Sequence, residues 1–271
     1  YEIEECDWSS DVCSSDLTEA ELTNMNPQEL VDRIHNQNSY KHRILYYGPS
    51  SSKDLLATIN QYHQVPATLK DIPAGNEYAY LETPVTKVLV APYDAKQIYM
   101  AQISNLDKKY DPAIEPIRAL YDEYFGGGMN SIVFQEMRET RGLAYSAWAS
   151  IMPPSYLKYP YVLRTQIATQ NDKMIDAVTT FNDIINNMPE SEAAFKLAKD
   201  GLTNRLRTER IIKGDIIWSY INAQDLGQNV DPRIKLYNDI QNMSLKDIVD
   251  FQKQWVKGRT YVYCILGDKK D

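Results

Sequence analysis

The residues of this chain that are best suited to chemistry are an arginine and a tyrosine seven positions apart. Arg138 follows a run of three glycines, Gly126 to Gly128, and Tyr145 comes shortly after Gly142. A guanidinium and a phenol both donate hydrogen bonds. When water attacks a peptide bond, the carbonyl oxygen becomes an oxyanion, and each donor aimed at it stabilises the transition state by ~3 kcal/mol. The simpler reading is an arginine on a solvated helix face and a tyrosine that anchors a strand.

Local signals predict the elements that position this pair. Three glycines do not propagate a helix, Asn130 is a good N-cap residue, and Gly142 is a C-terminal stop signal. We therefore predict a helix over residues 131–141, with Arg138 beside its apolar face and Tyr145 at the start of the next strand. The apolar face is predicted to comprise Met129, Val133, Phe134 and Met137.

The segment from Phe125 to Ser146 resembles the pitrilysin/insulinase family of zinc metallopeptidases. In that family an arginine and a tyrosine at this separation lie in the half of the enzyme that does not bind zinc, and they contact the substrate carbonyl next to the scissile bond. The resemblance therefore implies that Arg138 and Tyr145 bind substrate and stabilise the transition state. The resemblance covers essentially everything from Thr18 onward.

The zinc site of that family is absent from this sequence. It consists of an inverted His-x-x-Glu-His helix and a distant glutamate. The three histidines here, His35, His42 and His63, do not have that spacing, and we interpret them as surface residues. The resemblance implies zinc in the full-length parent, with its ligands and general base outside this chain. We therefore expect this chain alone not to hydrolyse peptides.

Composition is typical of a soluble globular protein. Of the 271 residues 43% are hydrophobic and 24% are charged, and no apolar run approaches the ~20 residues of a membrane helix. The net charge of −8 argues against nucleic acid as a partner, and the basic run that begins at Arg205 is interpreted as a solvated helix face. The sequence does not decide between bacterial cytoplasm and periplasm.

The first seventeen residues stand apart from the rest. Residues 1–17 resemble the translation of an indexed short-read sequencing adapter, and we interpret them as an artefact. Cys6 and Cys13 then have no biological meaning, and Cys264 is interpreted as a small buried hydrophobe. Because a helix follows Gly48 but only four residues follow Gly267, we expect the C-terminus to be cut as well.

A repeated helix–strand pattern within the sequence, here called the internal repeat, predicts the domain organisation. A helix capped by Asn26 and a strand ending at Gly48 recur as a helix capped by Ser244 and a strand ending at Gly267. The resembled family consists of tandem copies of one α/β domain. We therefore interpret 18–65 as the closing helix, strand and helix of one copy, 66–84 as a linker, and 85–271 as the C-terminal insulinase-type domain.

The predicted elements of residues 85–271 indicate an α+β fold. Strand-like runs at 85–91 and 96–104 are predicted to form a hairpin, and those at 145–152 and 159–168 a second strand pair. Helices are predicted near 112–125, after Thr169, and at least four times between Ser191 and Val256, before a final strand. Hairpins followed by helices imply an antiparallel sheet with helices packed against it.

These observations predict the substrate-binding C-terminal portion of a zinc metalloendopeptidase that cleaves peptides in an enclosed chamber. Its partners would be a peptide and the zinc-bearing half of the same chain or a partner subunit. The alternative is a non-catalytic scaffold or partner subunit of the same family.

A substrate could add as a strand to an exposed edge of the sheet. The strand from Tyr145 to Ser150 is not our first choice for that edge, because Ala147 and Ala149 are predicted to pack. A generic α+β binding domain would not require the glycine run and the Arg138–Tyr145 pair together.

Overall fold

The computed structural model describes the backbone of residues 3–5 and, in full, residues 18–75, 80–93 and 96–267. The strands are β1 (Ile3–Glu5), β2 (Lys87–Pro92), β3 (Ile98–Lys109), β4 (Ser146–Met152), β5 (Pro160–Thr169) and β6 (Val262–Gly267). The helices are α1 (Glu19–Asn24), α2 (Pro27–Gln37), α3 (Ser52–Tyr62), α4 (Glu115–Phe125), α5 (Ile132–Phe134), α6 (Met174–Asn186), α7 (Glu192–Thr208), α8 (Gly214–Asp225), α9 (Pro232–Ile240) and α10 (Leu245–Trp255). No helix among the described residues is both long and apolar enough to cross a membrane.

The chain divides into two compact units. One contains β1 and residues 80–93, 96–210 and 219–267, and the other contains residues 18–75 and 211–218. The predicted α+β class is confirmed. The predicted domain boundaries and the interpretation of residues 1–17 stay predictions, and residues 1–2 and 6–17 lie outside the described residues.

The sheet has the strand order β1-β2-β6-β3-β5-β4. Pairing is antiparallel from β6 through β3 and β5 to β4, and parallel between β1 and β2 and between β2 and β6. The predicted strand pair β4–β5 is confirmed, with Ala149 opposite Thr165.

The predicted hairpin between β2 and β3 is wrong, because β6 lies between them. Val88 pairs with Tyr263 of β6, and the Tyr93 N–H donates to the Gly267 carbonyl at 2.7 Å, just where a hairpin would turn. The proline before Tyr93 indicates a local break in the chain. It does not indicate which distant strand becomes the neighbour.

The core lies between the sheet and the helices, and α4 is central to it. Leu120, Tyr121, Tyr124 and Phe125 of α4 are fully buried. The Tyr121 ring packs against Phe251 of α10 with centroids 5.2 Å apart. The Tyr121 hydroxyl also donates to Gln252, whose amide donates to the Ile185 carbonyl, so this buried polar group is satisfied. The four helices predicted between Ser191 and Val256 are confirmed as α7 to α10.

The second unit contains α1 to α3. The two capped helices of the internal repeat, which begin after Asn26 and Ser244, are confirmed as α2 and α10. Asn26 caps α2 by accepting from the Gln28 N–H at 3.0 Å, and Ser244 begins α10 with a capping box. The strand predicted before Gly48 is wrong: residues 41–47 are irregular, and within the described part of this unit the only pairing near them is the bridge between Tyr40 and Lys70. A strand needs a hydrogen-bonded neighbour as well as an apolar run.

Candidate functional site

The helix that carries Arg138 is short and changes its winding. It begins at Ser131, whose hydroxyl accepts from the Phe134 N–H at 3.4 Å. The predicted Asn130 cap is therefore wrong by one residue, and Met129, which precedes the cap, is 73% exposed and does not join the apolar face. Val133 and Met137 are fully buried, as predicted. From Gln135 to Thr140 the helix continues as a π-helix, a feature frequent at functional sites.

Gly142 ends this helix, as predicted. It adopts φ +58°, a left-handed conformation that favours glycine. Its N–H donates to the Arg138 carbonyl at 3.1 Å, and the Leu143 N–H reaches the Met137 carbonyl at 2.8 Å. The chain thereby reverses toward β4 directly after the helix, which brings residue 145 back to residue 138.

Arg138 and Tyr145 meet at the surface. The Arg138 guanidinium lies 5.6 Å from the centre of the Tyr145 ring and 5.0 Å from that of Phe134. Cation–π contacts of this kind restrain the guanidinium through its flat face. The N–H groups at the edge of the guanidinium plane stay available for hydrogen bonds. Tyr145 is 71% exposed, and the Arg138 side chain, 44% exposed, makes only a loose ion pair with Glu139 at 3.6 Å.

One backbone hydrogen bond ties Tyr145 to the end of β5. The Tyr145 N–H donates to the Ala168 carbonyl at 2.9 Å, although Ala168 is already paired with Ser146. Tyr145 therefore stands just before the regular strand, beside the end of the helix.

A cavity of about 270 Å³ adjoins the pair. Lys173 donates from Nζ to the Gly142 carbonyl at 3.1 Å, and the Thr169 hydroxyl donates to the Leu143 carbonyl at 2.6 Å. Sequence reasoning missed these two residues, because the chain brings them back from the end of β5 without any local motif. The lining residues are Gln97, Arg138, Gly142, Leu143, Ala144, Tyr145, Thr169, Gln170 and Lys173.

The outer edge of β4 is covered along its second half. Asp122 of α4 accepts from the Ile151 N–H at 2.8 Å and from the Ser150 hydroxyl at 2.9 Å. Arg118 donates to the Ile151 carbonyl at 3.0 Å and to Asp122 at 2.7 Å. Burial raises the pKa of Asp122 to about 6, against the opposing effect of the Arg118 charge. Ala147 and Ala149 are buried, as predicted; which edge binds substrate stays open.

The described residues that could bind a metal do not form a cluster. Within residues 18–75, 80–93 and 96–267, no three His, Cys, Asp or Glu side chains form a group that could hold an ion. His35 lies exposed in the last turn of α2. His42 and His63, which the sequence did not connect, lie with their Nε2 atoms 2.7 Å apart, and His42 Nδ1 lies 2.6 Å from the Tyr40 carbonyl.

Comparison with known families shows which family the chain belongs to. Residues 44–202, more than half of the chain, match the family described as the peptidase M16 inactive domain. The chain belongs to this family. The resemblance to pitrilysin/insulinase-type peptidases, and specifically to their half without zinc, is thereby confirmed.

Relatives of the M16 inactive domain include proteins described as peptidases and as non-peptidases. The chain is 26% identical over 215 residues to the non-peptidase homolog YmxG of Helicobacter pylori, covering 74% of this chain and 48% of that protein. A conserved protein from Enterococcus faecalis has a similar fold, with a TM-score of 0.69 at 16% identity over 94% of this chain and 58% of that one. A protease from Helicobacter pylori gives a TM-score of 0.61 at 12% identity over 92% and 61%. The chain thus spans roughly half to three fifths of these proteins' lengths.

Proposed function

We propose that this chain is the substrate-binding portion of a zinc metalloendopeptidase, in which Arg138 and Tyr145 bind the carbonyl group next to the scissile bond. The observation that supports this most directly is the contact between the two side chains: a guanidinium held 5.6 Å from a phenol ring, both exposed beside a cavity. Two donors restrained in this way are prepared for an oxygen that gains negative charge.

The chain's contribution under this proposal is hydrogen bonding and charge. The described residues do not fit a zinc site, so the metal, which activates water in such enzymes, would belong to the zinc-bearing half of the same protein or to a partner subunit. Arg138 and Tyr145 would bind the carbonyl oxygen weakly in the ground state and more strongly once it carries charge. Interactions of this kind raise turnover instead of merely tightening substrate binding.

A second candidate is a non-catalytic scaffold or partner subunit. The similarity to a protein described as a non-peptidase homolog favours it. Nothing in a purely structural role requires an exposed Arg138 stacked on an exposed Tyr145, whose side chains bury little apolar area there. We therefore place the peptidase first.

The test is kinetic and uses the intact protein that contains the upstream half. Sequencing of the source DNA upstream of Thr18 would show whether a His-x-x-Glu-His helix precedes this chain. In that protein Tyr145→Phe should lower kcat roughly 10- to 1,000-fold, with the fold unchanged, because it removes one donor and little volume. Tyr62→Phe, at a tyrosine 74% exposed, is the matched control and should change nothing.

The double variant tests whether the two residues act together. Arg138→Ala should also lower kcat, and its effect combined with Tyr145→Phe should be less than additive if both bind one oxygen. Full activity of Tyr145→Phe would refute the assigned role. An intact parent that lacks zinc ligands, and that has no peptidase activity even together with its partner subunit, would establish the scaffold instead.

A further inference from the structure

The charged side chains that line the cavity beside Arg138 and Tyr145 all have the same sign. Among the described residues that line it, the only two that carry charge are Arg138 and Lys173, and both are positive. The remaining lining groups are amides, hydroxyls, backbone and small apolar side chains. A site of this composition favours an anion over a neutral or cationic group.

Lys173 supplies most of this preference. Its Nζ is fixed by one hydrogen bond to the neutral Gly142 carbonyl, 3.1 Å away, which leaves two further ammonium N–H groups for a ligand. None of the ion pairs found among the described residues includes Lys173. Arg138, in contrast, is partly neutralised by Glu139 at 3.6 Å.

The size of the cavity limits the ligand. A volume of about 270 Å³ is slightly below the range of pockets that enclose a whole small molecule. It suits one side chain of a longer ligand that continues past the opening. Tyr145 and Arg138 are among its lining residues, so a peptide backbone bound by them under the proposed function would pass beside the cavity.

We propose that this cavity is a subsite for a carboxylate, and that Lys173 selects peptides with an aspartate or glutamate side chain near the carbonyl bound by Arg138 and Tyr145. The inference rests on the proposed function, since it assumes a peptide at this pair. Lys173 here is a specificity residue that contacts the substrate side chain.

The competing explanation is that Lys173 only ties the start of α6 to the turn at Gly142. A structural lysine of this kind would affect stability but not the choice among peptides. Lys173→Arg keeps the charge, and Lys173→Gln removes it while keeping a donor. The two variants therefore separate charge recognition from the structural tie.

The experiment measures peptide binding to the 271-residue chain by fluorescence anisotropy. The probes are labelled twelve-residue peptides in which a single glutamate, or a glutamine in its place, is moved through the sequence. At one or two positions the glutamate peptide should bind wild type roughly 5- to 20-fold more tightly than its glutamine counterpart, the range expected when a charge-assisted hydrogen bond replaces a neutral one. The preference should weaken as salt rises.

Lys173→Gln should reduce this ratio to about one without weakening the glutamine peptides, and Lys173→Arg should preserve it. Lys53→Gln in α3, which removes the same charge from a residue that does not line the cavity, should leave it unchanged. A ratio below two at every position, or a ratio that survives Lys173→Gln, overturns the subsite. If neither peptide series binds, the subsite is overturned as well, whereas the proposed function is decided separately, by kcat of Tyr145→Phe in the intact protein.

Discussion

Replacing Gly126 with alanine should destabilise the protein more than any other change in the glycine run. A Cβ at Gly126 would lie 2.3 Å from the Ala149 carbonyl oxygen and 2.5 Å from the Ala149 nitrogen, both backbone atoms of β4. Such atoms cannot rotate away, so the end of α4 would have to retreat from β4 by about 1 Å to restore ordinary contact.

The magnitude follows from two losses. Overpacking of this kind costs about 1–3 kcal/mol. The same retreat weakens the hydrogen bonds from Ile151 and Ser150 to Asp122, each worth about 1 kcal/mol. We therefore expect Gly126→Ala to lower the free energy of unfolding by about 3–4 kcal/mol.

The neighbouring glycines provide graded controls. A Cβ at Gly127 would lie 2.8 Å from the Asp122 carbonyl oxygen, which predicts an intermediate loss of about 1–2 kcal/mol. A Cβ at Gly128 would meet nothing within 4 Å, so Gly128→Ala should be neutral or stabilising by up to about 1 kcal/mol.

Urea unfolding followed by tryptophan fluorescence measures these differences, and hydrogen exchange of residues 146–152 reports on β4 directly. Protection there should fall in Gly126→Ala and stay at the wild-type level in Gly128→Ala. If Gly126→Ala and Gly128→Ala unfold within 0.5 kcal/mol of each other, the close approach of α4 to β4 is refuted.

Three further changes test other parts of the structure. Gly142→Ala places a Cβ at φ +58° and should cost about 1–2 kcal/mol in urea unfolding, without loss of the fold. The folded-state pKa of Asp122 is about 6 and its ordinary value is 3.8, so the stability that its protonated form contributes is fully present below pH ~4 and is lost as pH rises through about 6. The free energy of unfolding of wild type, measured relative to that of Asp122→Asn, should therefore fall by up to ~3 kcal/mol over this pH window. Gln252→Leu leaves the Tyr121 hydroxyl and the Ile185 carbonyl without their partner and should cost about 1–3 kcal/mol for each group; adding Tyr121→Phe should recover part of the loss in urea unfolding.

Local sequence signals correctly predicted the features that depend on residues close together in the chain. The cap at Asn26, the stop at Gly142 and the β4–β5 pair depend on neighbouring residues, and the structure confirms them. The β2–β3 hairpin failed because the neighbour of β2 is a strand more than 160 residues later in the sequence, and periodicity does not reveal partners. The candidate pair could be found because one contiguous segment, Phe125 to Ser146, carries the family resemblance and contains both Arg138 and Tyr145. Lys173 could not, because only the return of β5 beside β4 brings it to Gly142.

The covered half of β4 also bears on self-association. Outer strands of sheets offer unpaired backbone groups to other chains, and proteins suppress this with charges turned onto the edge. Asp122 and Arg118 occupy the outward N–H and carbonyl of Ile151, and Gly126 lets the end of α4 lie against Ala149. At this edge of the sheet, a second sheet could therefore pair only with the short stretch near Tyr145, too few residues for a stable intermolecular ladder. The same residues that fix the helix on the strand thus protect the β4 edge against edge-to-edge aggregation.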